Sequence, residues 1–264
     1  MQPLLDSDVL VYECGFAAET AWKGEHPGVT DPPPFDKCAQ LLDNRIANIC
    51  AIVESTMPPI LFLTGKQNFR YAIAKRTPYK ARAGNKPFHY KNIIAYIKGK
   101  YDYRIVEGLE ADDLMAIEQT SRPEETIICT RDKDLRSVPG WHYGWELGNQ
   151  PQFVPERVSH LGAITLSNDR KKIKGTGLLF FYSQCLTGDT VDSIPGLPNC
   201  GAVKAYKALS AATTEEEAFR SVLSAYQVSY GETAAIELLE QGRLLHMTRE
   251  LHEDGSPVLW EFPV

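Results

Sequence analysis

The sequence predicts an α/β fold, with a mostly parallel central sheet, flanking helices and a helical C-terminal region. Short apolar or β-branched runs at 9–12 (VLVY), 60–63 (ILFL), 103–106 (YRIV) and 126–129 (TIIC) read as buried parallel strands. Helical patterns separate them, and strand alternating with helix makes an α/β sheet. Acids then punctuate the chain where such a sheet presents its strand ends to a common crevice: Asp6 with Asp8, Glu110 with Asp112 and Asp113, Asp132 with Asp134, and Asp189 with Asp192.

Taken in order, Pro3, Leu4 and Leu5 place Asp6 at the end of a first strand. A D-x-D there is also a common turn or N-cap feature, because Asp accepts from backbone donors. After Pro32, Pro33 and Pro34, the residues Leu42, Ile46, Ile49 and Val53 share one helical face. From Lys66 to Lys100 there is no acid at all, and Lys75, Arg76, Lys80, Arg82 and Lys86 stand among Phe69, Tyr71, Tyr79, Phe88 and Tyr90. Behind YRIV, Leu109, Leu114 and Ile117 suit a helix headed by three acids, of which Glu110 and Asp113 share a face. The helix dipole accounts for one or two such acids, whereas a third adds repulsion that it only partly offsets.

Asp132 and Asp134 follow TIICT, where a buried strand delivers them to the crevice edge; a solvated RDKD turn is the alternative. Gly162 to Gly177 is polar, Gly-punctuated and basic through Arg170, Lys171, Lys172 and Lys174, so it reads as an exposed hairpin or loop. Helices are expected at 178–186, 202–209, 214–228 and 233–247, followed by an extended tail at 258–262. The expected division is an α/β core over 1–177 and a helical region over 178–264.

At 264 residues and 43% hydrophobic, the chain can bury a full core. No apolar stretch approaches the ~20 residues of a membrane span, and the MQPLLDSDVL start lacks the pattern of a signal peptide, so a cytoplasmic setting without membrane is expected. The cysteines form no C-x-x-C pair and the histidines no metal-binding spacing, which argues against zinc and disulfide frameworks. Net charge is −6, but its distribution is uneven, and distribution governs steering.

Converging carboxylates repel one another unless a cation sits among them. Oxygen donors scattered over a chain suit a hard ion such as Mg²⁺, which keeps several waters and rarely has an all-protein cage. Two such ions about 4 Å apart can clamp the attacking and leaving oxygens of a phosphodiester. The segment GDTVDSIPGLPNCG (188–201) adds a glycine-rich turn between two helices, where backbone groups can approach a ligand and a helix N-terminus can meet a phosphate. Lys204, one turn further, adds a point charge.

Together, EGLEADD (107–113), TRDKD (130–134) and GDTVDSIPGLPNCG (188–201) resemble the 5′-nuclease superfamily, which includes flap endonucleases and bacteriophage 5′→3′ exonucleases. The likeness spans most of the chain in the right order, and the phage-type enzymes look closest. It implies a PIN-like nuclease core, a basic helical arch at about 64–100 and a duplex-gripping helix-three-turn-helix within the C-terminal region.

By resemblance, Asp6, Glu110, Asp112 and Asp113 hold a first Mg²⁺ and Asp132, Asp134, Asp189 and Asp192 a second; Mn²⁺ can substitute, and K⁺ is admitted at the helix-three-turn-helix. Lys80 reaches the scissile phosphate, Arg70 or Arg82 stabilises developing charge, and Tyr79 stacks on an unpaired base. Lys75, Arg76, Lys86, Ser193, Gly196, Gly201 and Lys204 complete the expected DNA contacts.

The chain departs from the family pattern in three places. Its second strand continues as LFLTGKQ (61–67) where the family usually has an acid, the arch Arg at 82 comes one position early, and Asn199 replaces a usual Gly. The implied function is hydrolysis of DNA near 5′ ends, flaps or nicks, or of RNA primers in hybrids, by a monomer active in phage replication or DNA degradation inside the host cell. A non-catalytic structure-specific DNA-binding protein of the same fold is the alternative. A toxin-like ribonuclease fits less well, because such proteins seldom carry a duplex-binding helix-hairpin.

Overall fold

The computed structural model describes residues 1–81 and 84–263. It comprises two compact units that interleave along the chain. The first contains Met1–Lys66, Gly84–Asp132 and Trp141–Glu156; the second contains Gln67–Ala83, Lys133–Gly140 and Arg157–Val264. This differs from a single cut after residue 177, because the chain passes between the units several times.

The first unit is built on a six-stranded sheet containing β1 (Gln2–Asp6), β2 (Ile60–Phe62), β3 (Tyr103–Arg104), β4 (Thr126–Cys129), β5 (Gly140–Gly144) and β6 (Phe153–Val158), in the order β3-β2-β1-β4-β5-β6. The pairs β1·β2, β1·β4, β2·β3 and β4·β5 are parallel. Leu4, Leu5, Leu61, Ile127 and Ile128 are fully buried, as expected of central strands covered on both faces. Chain order runs outward from β1 in both directions, so the C-terminal edge beside β1 is the switch point of the sheet.

Around the sheet lie α1 (Ser7–Glu25) and α2 (Phe35–Ile52). The expectation of a strand over VLVY is overturned, because these residues lie in α1. Asp6 ends β1 and caps the helix by accepting from Val9 N at 3.1 Å, while Leu10, Cys14 and Ala18 recur at helical spacing and are buried. Tertiary burial at a four-residue period overrides local β preference here. Leu42, Ile46, Ile49 and Val53 are buried as the helical face predicts.

The acid-free stretch does not form one helical arch among the described residues. Its early part supplies α3 (Arg70–Ile73), a single turn in the second unit. Its later part supplies α4 (Tyr90–Lys100), which buries Ile93 and Ile97 in the first unit's core. The next helix, α5 (Ala111–Ser121), is the one headed by three acids.

The second unit contains the hairpin of β7 (Ala163–Leu166) and β8 (Ile173–Thr176), then α6 (Gly177–Thr187), α7 (Ala202–Leu209), α8 (Glu215–Tyr230) and α9 (Ala234–Leu245). These elements match the expected hairpin and the four expected helices to within a few residues. Helix α6 is buried on all sides, with Phe181, Tyr182, Cys185 and Leu186 wholly inaccessible. Among the described residues no helix is long and apolar enough to cross a membrane.

Candidate active site

In the first unit the candidate site begins at the C-terminal ends of β1 and β4. Asp6, 2% exposed, accepts from Thr130 Oγ1 at 2.6 Å, and Asp132 N donates to that same hydroxyl oxygen at 2.8 Å. A threonine thus ties the two strand ends together. Burial, and then the neighbouring charge of Asp8, push the Asp6 carboxyl up from 3.8 to about 6. The bonds from Thr130 and Val9 oppose that rise without cancelling it.

Glu110 and Asp113 cap α5 reciprocally, Glu110 N donating to Asp113 Oδ2 at 3.3 Å, and both are buried. The third acid of this cluster, Asp112, is half-buried. Beside them Thr64 follows β2, its Oγ1 accepting from Ala111 N at 3.0 Å and its backbone N donating to Asp8 Oδ1 at 3.4 Å. Sequence reasoning left Asp8 out of the ligand set; the two-residue spacing from Asp6 was the signal that could have included it.

The raised Asp6 carboxyl gives a stability prediction. A carboxyl whose pKa is higher in the folded state favours folding when protonated, so its contribution is complete below pH ~4 and is lost as pH rises through about 6. In EDTA, the wild-type Tm is expected to fall between pH 5 and 7.5 by more than that of Asp6→Asn. A rise from 3.8 to about 6 corresponds to roughly 3 kcal/mol at most, or about 6–10 °C in a chain of this size. Matching scans of the two proteins by calorimetry check this, and parallel curves would refute it.

In the second unit the acids surround the turn after α6. Asp189, 4% exposed, accepts from Val191 N at 2.8 Å through Oδ1, and its backbone pairs with Ile194. Lys133 donates to Asp189 Oδ2 and lies 3.4 Å from Asp134 Oδ1, which also accepts from Gln184 Nε2 at 2.5 Å. Burial raises the Asp134 carboxyl, the Lys133 ammonium opposes the rise and Asp189 adds to it. The ammonium is a built-in cation, stationed where carboxylates collect; sequence reasoning assigned it no role.

Asp192 receives Tyr79 OH at 3.2 Å, and Lys80 Nζ lies 3.9 Å from its Oδ1. Tyr79 is only 4% exposed, so the expectation that it stacks on an unpaired base is overturned: the phenol is held by packing and by the acid. Arg70 is likewise displaced from its expected catalytic role. It is fully buried and donates to the carbonyls of Leu244 and His246, both at 2.9 Å. Arg82 lies outside the described residues.

Several expected DNA contacts have internal partners. Arg76 pairs with Glu237 at 2.8 Å and packs on the Tyr230 ring, and the backbone N of Lys75 donates to Glu240. Ser193 Oγ accepts from Ala81 N at 3.3 Å. Lys86 lies over the Tyr90 ring, 4.3 Å from its centre.

The turn itself depends on glycine. Gly188 and Gly196 have φ of 72° and 66°, and a Cβ on Gly196 would stand 2.2 Å from Gly188 N. Asn199 adopts φ 56°, in keeping with the tolerance of Asn for that region. Gly196→Ala is expected to cost about 2–4 kcal/mol, from the left-handed backbone together with the clash. Urea unfolding checks it, and an unchanged midpoint would show that the turn can open.

Beyond the turn a groove of about 330 Å³ is lined by Arg170, Lys171, Asn199, Gly201 and Lys204, with Gly201 capping α7. Lys204 Nζ also donates to Asn199 O at 2.8 Å. The basic hairpin was legible in sequence, but its place beside the start of α7 was not.

These donors suit a hard divalent ion: the expected ligands are all carboxylates, and no cysteine or histidine stands among them. Among the described residues no three Asp, Glu, His or Cys side chains gather closely enough to hold an ion by themselves. Paired carboxylates with water completing the shell remain in keeping with Mg²⁺ chemistry.

The sheet order, the acids at the β1–β4 edge and the Gly-rich helical hairpin belong to an α/β fold that is shared with solved bacteriophage T5 5′-nuclease structures. Its structure resembles that of the bacteriophage T5 5′-exonuclease with divalent zinc bound, at a TM-score of 0.52 and 14% identity over 92% of this chain and 96% of that one. It also resembles a substituted T5 flap endonuclease in a pseudo-enzyme–product complex with DNA and metal ions, at a TM-score of 0.50 and 13% identity over 92% and 98% of the two chains. No family model matches the sequence.

Proposed function

We propose that the chain is a metal-dependent 5′-nuclease that hydrolyses DNA phosphodiesters near 5′ ends, flaps or nicks. The observation that carries this reading is the linkage of Asp6 through Thr130 to Asp132 at the β1–β4 edge, in a fold shared with the T5 nucleases. By the resemblance, Asp6, Glu110, Asp112 and Asp113 would hold one divalent ion, Mg²⁺ or Mn²⁺, and Asp132, Asp134, Asp189 and Asp192 another. When bound, such ions supply Lewis-acid activation of water and neutralise charge on the phosphate.

The chain's own residues supply the rest. Lys80, partly exposed, can leave Asp192 for the scissile phosphate and stabilise its developing charge. Asp189 keeps its carboxylate in place through the turn N–H bonds. The start of α7, with Lys204, Arg170 and Lys171, holds duplex phosphates without reading sequence, so selectivity is for structure. K⁺ at this hairpin, a monomeric state, action on RNA primers and a role in phage replication within the host cytoplasm belong to the same proposal.

Two observations favour the alternative of a non-catalytic DNA-binding protein: Thr64 follows β2 where an acid is expected, and Lys133 already pairs with Asp189. A labelled 5′-flap incubated with Mg²⁺, Mn²⁺ or EDTA separates the two. Metal-dependent release of a short 5′ product supports the nuclease. Binding without cleavage in either metal overturns it in favour of the scaffold.

A further inference from the structure

Resting on the nuclease reading, we infer that Glu240 and Gln241, neighbours on α9, are positioning residues that hold the Lys80 segment in register with the turn bearing Asp189 and Asp192. All of these residues belong to the second unit. Where segment and turn meet, Lys80 N donates to Asp192 O at 3.0 Å and Ala81 N to Ser193 Oγ at 3.3 Å. Lys80 and Ser193 both adopt left-handed backbone there, with φ of 46° and 62°. Neither is glycine, and such a conformation persists only where the surroundings impose it.

Helix α9 supplies those surroundings from one face, since Glu237, Glu240, Gln241 and Leu244 follow the i, i+3, i+4, i+7 spacing. Glu240 Oε1 accepts from Lys75 N at 2.8 Å and from Arg76 N at 3.0 Å, so one carboxylate grips the segment upstream of Lys80. The next residue grips the turn. Gln241 Oε1 accepts from Gly196 N at 2.9 Å, across 45 positions of sequence. Gln241 is wholly buried, yet its Nε2 has no hydrogen-bond partner among the described residues. A buried donor left unpaired costs stability, so what this side chain contributes is the acceptor that fixes Gly196. Two grips side by side on one rigid helix set the Lys80 ammonium against the Asp192 carboxylate, 3.9 Å away.

The test compares the full wild-type chain with Glu240→Ala, Glu240→Gln and Gln241→Met; glutamine keeps an acceptor, whereas methionine fills the same space without one. Single-turnover cleavage of a 5′-flap in Mg²⁺ at saturating protein is measured beside flap affinity, by fluorescence anisotropy in Ca²⁺. Amide hydrogen exchange reports the two grips. Glu240→Ala and Gln241→Met are expected to slow cleavage about tenfold or more with affinity within about threefold of wild type, since a shift of about 1 Å in the groups that meet substrate suffices for such a loss. Exchange should rise over 70–81 in the first variant and over 188–200 in the second. Glu240→Gln should stay within a few-fold of wild type. Wild-type cleavage in either loss variant, a loss confined to affinity, or as large a loss in Glu240→Gln as in Glu240→Ala overturns the assignment; should Gln241→Met not fold, the Glu240 pair decides. If wild type cleaves the flap, only the role of these two residues falls; if it binds the flap and cleaves none, the nuclease reading falls and the positioning role with it.

Discussion

Asp132→Asn is expected to abolish 5′-flap cleavage while leaving DNA affinity at the wild-type value. The side chain is half-buried just beyond β4, and the bond to Thr130, whose hydroxyl ties β4 to β1 through Asp6, is made by the backbone N of Asp132 and not by its carboxylate. Asparagine therefore keeps the local fold and removes one negative charge from the edge where Asp6 already lies buried. Losing one preorganised electrostatic contact of this kind costs on the order of 10³ in rate. The groove at α7 proposed to meet phosphates is untouched, so affinity and its dependence on salt should not change. Single-turnover cleavage and fluorescence anisotropy in Ca²⁺ measure the two quantities. Wild-type turnover in the variant would remove Asp132 from the site.

Arg70→Ala is expected to destabilise the protein, not merely to slow it. The guanidinium is fully buried, sits over the Phe69 ring at 4.6 Å and satisfies the carbonyls of Leu244 and His246 at the end of α9. Alanine would leave both carbonyls without that donor and open a cavity the size of the side chain. Two buried carbonyls left without this donor cost about 1–3 kcal/mol each, roughly 2–6 kcal/mol together, which corresponds to a Tm lower by roughly 4–24 °C. Lysine would recover only part of this, since an ammonium cannot present the planar fork that meets two acceptors at once. A variant with unchanged Tm and reduced turnover would return Arg70 to the catalytic role first expected of it.

Arg70 and Asp132 differ in how much of their surroundings a sequence can hold. Acids after apolar runs are legible because a strand has few ways to end: Asp6 and Asp132 were expected at strand ends and are found there. The turn at 188–201 was legible for a similar reason, since Gly188, Gly196 and Asn199 all take positive φ. The β7–β8 hairpin and the helices from α6 to α9 follow from punctuation and periodicity close to the expected boundaries. VLVY misled because two valines, a leucine and a tyrosine cannot reveal whether their neighbours will be a sheet or a helical groove. The bond from Val9 N to Asp6 and burial at Leu10, Cys14 and Ala18 decide that question.

By its own pattern, the sequence determined an α/β sheet edged with carboxylates, a Gly-dependent turn and a helical region after a basic hairpin. Only the tertiary structure decided which cations are consumed inside the protein. Arg70 meets carbonyls 174 and 176 positions away, Arg76 meets Glu237, and Lys133 meets Asp189. A charge seen in sequence is the same whether it later faces water, a phosphate or a buried acceptor, and the burial of its partner settles which.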